Sequence, residues 1–287
     1  MLPLLLSLVI CLGCEFQEVR PLPDNTDNIE GRAGNIEPAA DYEAALTTLL
    51  QDVVTEEGLV RYDRLNDDLR DDFRRVLKAV EEFDLTTLLT QEARFAFWMN
   101  AYNVQMLQHI IETPEVRDII ADGFGPQFFE TRYRTAQRAI SLNEIEHVIL
   151  RSAEFDERLA VLRLADLDPR LHVGLNCAAL SCPRLRSRAF TAANVSEELD
   201  IAMREYVNSP NHFSVRDGNY VLSSLLDWFG SDFDSQGQPA GDYLLSFMSS
   251  NRPDYAALRS LFEGRTAAQI KAQPNVTYQY IWQVNRF

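Results

Sequence analysis

The sequence predicts an α+β fold: a helix-rich single domain packed on a small antiparallel sheet. Apolar residues recur with helical period over 41–54, 68–83 and 91–112. Strand signals are short and local: an alternating run over 128–140, a run His212–Leu222 centred on Asp217-Gly218, and an aromatic close over Thr277–Asn285. Helices outnumber strands, and no regular strand–helix–strand alternation appears, which disfavours a doubly wound sheet.

Residues 1–14, MLPLLLSLVICLGC, carry no charge and are too short to span a bilayer as a helix. They read as a signal-peptide core. The ending Leu12-Gly13-Cys14 resembles a bacterial lipobox, in which Cys14 is acylated and becomes the mature N-terminus. Multiple acylation of that cysteine anchors firmly where one chain holds only marginally. The competing reading is a plainly cleaved signal peptide. Residues 15–40 are rich in Pro, Gly, Asn and acids without apolar period, so they read as a flexible linker. The globular domain is then expected over 41–287. The expected location is the bacterial cell envelope, lipid-anchored or else periplasmic or secreted, with no membrane contact beyond the N-terminal lipid.

The composition of the 287 residues is that of a globular chain, with 46% hydrophobic and 24% charged residues. A net charge of −16 repels phosphate backbones, so nucleic acid is not an expected partner. An unidentified small molecule or envelope component is.

Within 91–112, Phe95, Met99, Tyr102, Met106 and Ile110 form one apolar stripe. Asn100 and Asn103 lie beside it, flanked by apolar residues, and amides so placed must find partners. They either tie down a neighbouring loop or form the polar wall of a pocket. His109 projects to the other face and is expected to be solvated.

Residues 141–151 carry helix-start signals: Ser141 and Glu144 form a capping box, with Ile140 and Ile145 as its staple. Glu146 sits at the edge of the apolar face, where a carboxylate is paired or has a raised pKa. His147 and Arg151 point more outward.

The segment Asp168–Pro183 is densest in chemistry. If Leu171–Cys177 is a strand, His172, Gly174 and Asn176 share one face. Asn176 can cap a helical turn over Ala178–Leu180, which places Cys177 at a helix N-terminus where a thiol pKa is lowered. Cys182, before Pro183, lacks that help. Cys177 is therefore the preferred nucleophile. The C-x4-C spacing is not a standard zinc knuckle, so a metal is only weakly signalled; no metal ligands and no cofactor are assigned. Beyond it come an expected helix over 192–207, the hairpin at Asp217-Gly218, helices over 223–233, 240–250 and 253–263, and the closing strand.

The blocks AFWMNAYN (96–103), SLNEIEHVILR (141–151), DPRLHVGLNCAALSCP (168–183) and LSSLLDWFGSDF (222–233) together resemble the domain of unknown function 547 family. The likeness spans about 95–235, and the YIWQVN segment extends it. The family is uncharacterised, so the resemblance implies a shared fold but no reaction. It implies that Asn100, Asn103, Glu146, His147, His172, Cys177 and Cys182 are the pattern residues. Ile281 stands before Trp282 where the family usually has an acid.

Two functions follow from these residues. In one, Cys177 attacks an acyl or amide carbonyl, His172 or His147 is its base, and Glu146 or an asparagine orients the imidazole, giving a thiol-dependent hydrolase or transferase. A papain- or transglutaminase-like arrangement is the analogy, although here the histidine precedes the cysteine. Asn100, Asn103, Asn176 and Cys182 are then candidate binding residues. In the other, the protein is a non-catalytic envelope binding domain stapled by a Cys177–Cys182 disulfide.

Overall fold

The computed structural model describes residues 40–121 and 125–287. The expected leader, the lipidation site Cys14 and the linker as far as residue 39 lie outside the described residues.

Helices α1 (Ala40–Val53), α2 (Tyr62–Asn66) and α3 (Arg70–Glu81) pack with one another and around α4 (Gln91–Glu112). In α3 the buried residues are Phe73, Val76, Leu77 and Val80, the i, i+3, i+4, i+7 set of a single face. In α4 every residue from Ala96 to Ile110 is buried, so the helix is central and its stripe is only part of its contact surface. His109 is accordingly buried, not solvated. Helix α5 (Gly125–Glu130) and strand β1 (Arg132–Thr135) close over that face, with His109 Nδ1 2.7 Å from the Tyr133 hydroxyl and its ring edge-on to Phe128.

Strand β1 pairs antiparallel with β2 (Arg138–Ser141). The hairpin expected over 128–140 thus begins at Arg132, because 128–130 belong to α5. The turn residues Ala136 and Gln137 are left-handed, and their N–H groups donate to the Val80 and Glu81 carbonyls at the end of α3. The Ser141–Glu144 capping box is present: the Ser141 N–H donates to Glu144 Oε2 (2.9 Å), and the Glu144 N–H donates to Ser141 Oγ (3.2 Å). The helix then widens to π geometry over Glu144–Leu150, with the Arg151 N–H reaching the Glu146 carbonyl five residues back.

After the one-turn α6 (Leu171–Gly174) come α7 (Val195–Asn208) and the hairpin β3 (Phe213–Arg216) and β4 (Asn219–Ser223). The hairpin turns on Asp217 and Gly218, both at positive φ, as a tight two-residue turn requires. Helices α8 (Ser224–Asp234), α9 (Ala240–Phe247), α10 (Tyr255–Phe262) and α11 (Ala267–Lys271) carry the chain back to β5 (Val276–Gln279). Because those helices form a crossover, β5 adds parallel to β4, and the three-stranded sheet is mixed, not purely antiparallel. The closing strand is regular only to Gln279. Beyond it, isolated bridges tie Gln283 to Asp118, Val284 to Ala179 and Arg286 to Val60.

Two hydrophobic cores result. One gathers α1–α4 and the π segment; the other gathers α7–α11 and the β3–β4 hairpin. Leu171 and Leu175 enter the first and Val173 the second, so α6 sits where the cores meet. Among the described residues no helix is long and apolar enough to cross a membrane. The architecture is α+β, as the patterning predicts.

Candidate functional site

The segment Leu171–Cys177 is not the expected strand. Asp168 Oδ1 accepts the Arg170 N–H (3.0 Å), and the Leu175 N–H donates to the Leu171 carbonyl, which fixes one turn of helix. Gly174 lets that turn press against α4 and α7, since a Cβ there would overlap Met99 Cε and come within 2.7 Å of Leu199 Cδ2. Among the described residues no strand pairs with this segment, and the turn satisfies its backbone instead.

Three asparagines hold the loop that follows. Asn103 on α4 donates from Nδ2 to the Gly174 carbonyl (3.0 Å) and accepts the Asn176 N–H at Oδ1 (2.9 Å). Asn176 donates to the Pro183 carbonyl (2.9 Å) and accepts the Ala178 N–H (3.0 Å). Asn100 does the same for the next stretch, exchanging hydrogen bonds with both backbone groups of Phe190 and donating to the Tyr42 hydroxyl. All three are buried, and they support the site's backbone from behind. Ala178 adopts φ +62°, and the chain reverses there. No helix begins at Cys177, so the expected helix-end field is absent.

The reversal brings the thiols together. The Cys177 N–H donates to Cys182 Sγ at 2.8 Å, and both cysteines are free in the structure. The Tyr280 hydroxyl lies 2.9 Å from Cys177 Sγ. Burial pushes the Cys177 thiol up, but hydrogen bonds from Cys182, Tyr280 and the Ala179 N–H outweigh it, and its pKa is lowered overall. Burial and the neighbouring Cys177 push Cys182 up. Burial, with both thiols nearby, likewise raises Tyr280, which therefore stays protonated and donates to the sulfur. The lowering at Cys177 comes from hydrogen bonding and not from a helix dipole.

Behind the thiols runs a chain of charged groups. His172, 3% exposed, has Nε2 2.8 Å from Asp232 Oδ2 and Nδ1 3.7 Å from Glu146 Oε1, with its ring stacked on Phe229 at 4.0 Å. Asp232 also accepts Arg151 Nε (2.6 Å) and a terminal Arg151 nitrogen (3.0 Å). Arg151 thus points inward, because a buried carboxylate draws it there. Burial alone would raise Asp232, but His172 and Arg151 hold it down to about 2. Glu146 is raised by burial, against the opposing pull of His172 and Arg151. His147 is lowered by burial and by Arg151, whose guanidinium lies 2.9 Å from Nδ1.

Cys177, Cys182, His172, Glu146 and His147 all line one cavity of about 190 Å³. Aromatic rings make most of the remaining wall: Tyr102, Phe129, Trp228, Phe229, Tyr280 and Trp282. Asn100, Asn103 and Asn176 do not line it. Both nitrogens of His172 face carboxylates, so the residue beside the Cys177 thiol is Tyr280. Sequence reasoning missed Asp232, Tyr280 and Tyr102 as site residues. An acid within the apolar run LSSLLDWFGSDF was the signal for Asp232; Tyr280 opens the YIWQVN segment of the resemblance, but only the tertiary fold brings it to Cys177.

Among the described residues, no group of three or more His, Cys, Asp or Glu side chains is arranged to hold a metal ion. No curated protein and no solved structure matches the chain. Residues 86–207 match the family model described as "Protein of unknown function, DUF547", an uncharacterised family.

Proposed function

We propose that the protein is a thiol-dependent acyl or amide hydrolase or transferase with Cys177 as its nucleophile. The observation that carries this reading is the Cys177 thiol, 2.9 Å from the Tyr280 hydroxyl, at the wall of an aromatic cavity also lined by Glu146 and by His172, which Asp232 backs. His172 is oriented between two carboxylates, with Nε2 2.8 Å from Asp232 and Nδ1 3.7 Å from Glu146. Glu146, which lines the same cavity and whose pKa burial raises, takes the proton of the Cys177 thiol. The thiolate forms a bond to the carbonyl carbon, the bond from that carbon to its leaving group breaks, and Glu146 returns the proton to the leaving group. Water or an amine then displaces the sulfur and restores the thiol. The base in this scheme is Glu146 supported by His172, where the sequence suggested a histidine acting directly. The rings of Trp228, Tyr280 and Trp282 suit a flat or apolar acyl group.

The second reading is a binding domain, favoured by the same aromatic lining and by the lack of a histidine hydrogen-bonded to Cys177 among the described residues. A Cys177–Cys182 disulfide belongs to that reading. One experiment separates them: count free thiols in protein isolated without reductant, then expose it to iodoacetamide and to a panel of aryl thioesters and esters. Free thiols, with Cys177-dependent burst release of the leaving group, support the enzyme. A quantitative disulfide, or release unchanged in Cys177→Ala, refutes it. We also propose that the protein works in the envelope tethered through Cys14, on the strength of the leader sequence. A soluble wild-type protein in cell fractionation would refute the tether.

A further inference from the structure

The extended segment 279–282 is a partition. Side chains alternate across it: Tyr280 and Trp282 line the thiol cavity, while Gln279 and Ile281 line a second cavity of about 720 Å³. The loop Ala179–Pro183 is the other part of the wall, held to it by the Leu180 N–H donating to the Gln283 carbonyl and the Ser181 N–H to the Ile281 carbonyl. Cys182 contributes to both linings.

The second cavity has the size of a small-molecule or short-peptide site. Its wall holds two buried polar atoms without a hydrogen-bond partner, His212 Nδ1 and Arg184 Nε. The Tyr206 hydroxyl on the same wall has the Ser223 hydroxyl as its partner, since Ser223 accepts the Leu225 N–H and still has its own proton to donate. Buried polar groups are satisfied in native proteins, so two orphans on one wall mark where a polar guest sits. His212 is pushed down to about 4 by burial, so at neutral pH its ring is uncharged and offers either a donor or an acceptor.

The guest's charge follows from the lining. Arg184 and Arg216 bring guanidinium groups, whereas Glu205 on the same wall is already bound to Arg186 at 2.8 Å. A guanidinium without a committed partner favours an oxyanion. Glu57 and Glu205 remain close enough to disfavour a phosphate dianion relative to a monoanionic carboxylate. Leu180, Ile281, Val173 and Ala202 supply apolar surface for side chains, and the orphaned donors and acceptors suit a peptide backbone.

We propose that the cavity bounded by Arg184, Tyr206, His212 and Ile281 is a second ligand site, which takes a short peptide by its C-terminal carboxylate. The site stands on its own lining and does not depend on what Cys177 does. The test is calorimetric titration of the full chain with N-acetyl-alanyl-alanine, with its C-terminal amide, and with inorganic phosphate. The carboxylate should bind at least tenfold more tightly than the amide and more tightly than phosphate. R184Q should remove that preference, R216Q should weaken it, and C177A should leave it intact. R216Q lies on an exposed hairpin strand and reads the same preference if R184Q fails to fold. Equal binding of carboxylate and amide, tighter binding of phosphate, loss of binding in C177A, or no binding at millimolar concentration each overturns the proposal.

Discussion

Replacing Asp232 by Asn should destabilise the protein more than any other single isosteric change in the site. The Asp232 side chain is 9% exposed and the Arg151 side chain 14%. Asp232 accepts from Arg151 at 2.6 and 3.0 Å and from His172 at 2.8 Å. An amide keeps the volume but presents a donor where an acceptor is needed, and it leaves a buried guanidinium without its counter-charge. Removing one member of a buried pair costs about 3–5 kcal/mol. Removing both charges together, as Asp232→Leu with Arg151→Met, should recover most of that, since paired replacement by apolar residues is often near neutral. Urea denaturation at pH 7 measures Asp232→Asn, the double variant and its two component singles, with an unchanged slope as the check that midpoints report stability. The pH dependence gives a second reading. Asp232 titrates at about 2 in the folded protein against an ordinary 3.8, so its stabilisation is complete above pH 4 and lost as pH falls from there toward 2. Wild-type midpoints should fall in that window through this group, and the Asp232→Asn variant should lack that component. A cost below about 1 kcal/mol, or a double variant no better than the sum of the singles, would refute the reasoning.

Four further outcomes are expected. Alkylation followed by mass spectrometry should find Cys177 reacting with a pH midpoint below that of a free thiol, about 8.5, and Cys182 reacting more slowly; the reverse order would remove Cys177 as nucleophile. Because burial holds Glu146 above the usual carboxylate range, wild-type stability should decline as pH rises through its folded pKa, and Glu146→Gln should abolish that slope in thermal melts taken from pH 4 to 8. Asn103→Leu strands the Gly174 carbonyl and the Asn176 N–H and should cost about 1–3 kcal/mol, with Asn100→Leu similar; an unchanged melting curve for either would contradict the hydrogen bonds described. Gly174→Ala forces Met99 and Leu199 aside and should cost about 1–3 kcal/mol, visible as a lower urea midpoint together with slower Cys177 labelling.

Much of the helical framework was legible because period and caps are local signals. Helix α4 follows its apolar period, Ser141 and Glu144 exchange the expected bonds, and Asp217-Gly218 turns its hairpin. The segment around Cys177 was not legible. Leu171–Cys177 alternates as a strand does, yet the Asp168 turn and the close approach permitted by Gly174 make it helical. The candidate site divides the same way. Residue types named Cys177, His172 and Glu146, whose side chains are reactive wherever they lie. Asp232, Arg151 and Tyr280 acquire meaning only from partners far along the chain, and no local pattern encodes such a distance. His109 failed for a related reason, since its burial depends on α5 and β1, which the helix's own sequence does not mention.

The partition strand also governs when the site can exist. Tyr62 donates to Asn285 Oδ1 at 2.7 Å across 223 residues of sequence, and the Asn285 N–H donates to the Ala178 carbonyl beside the thiols. A nascent chain that has made the whole family-matched region 86–207 still lacks Tyr280, Trp282 and Asn285. Until they arrive, Cys177 has no phenol to raise its acidity and no wall to enclose it, and the loop at Ala178 lacks one of its anchors. Contacts of such long sequence separation form late, after the entropy of closing the loop has been met. On the proposed reading, Cys177 thus gains its phenol partner and its enclosing wall only when residues 280–285 join the fold.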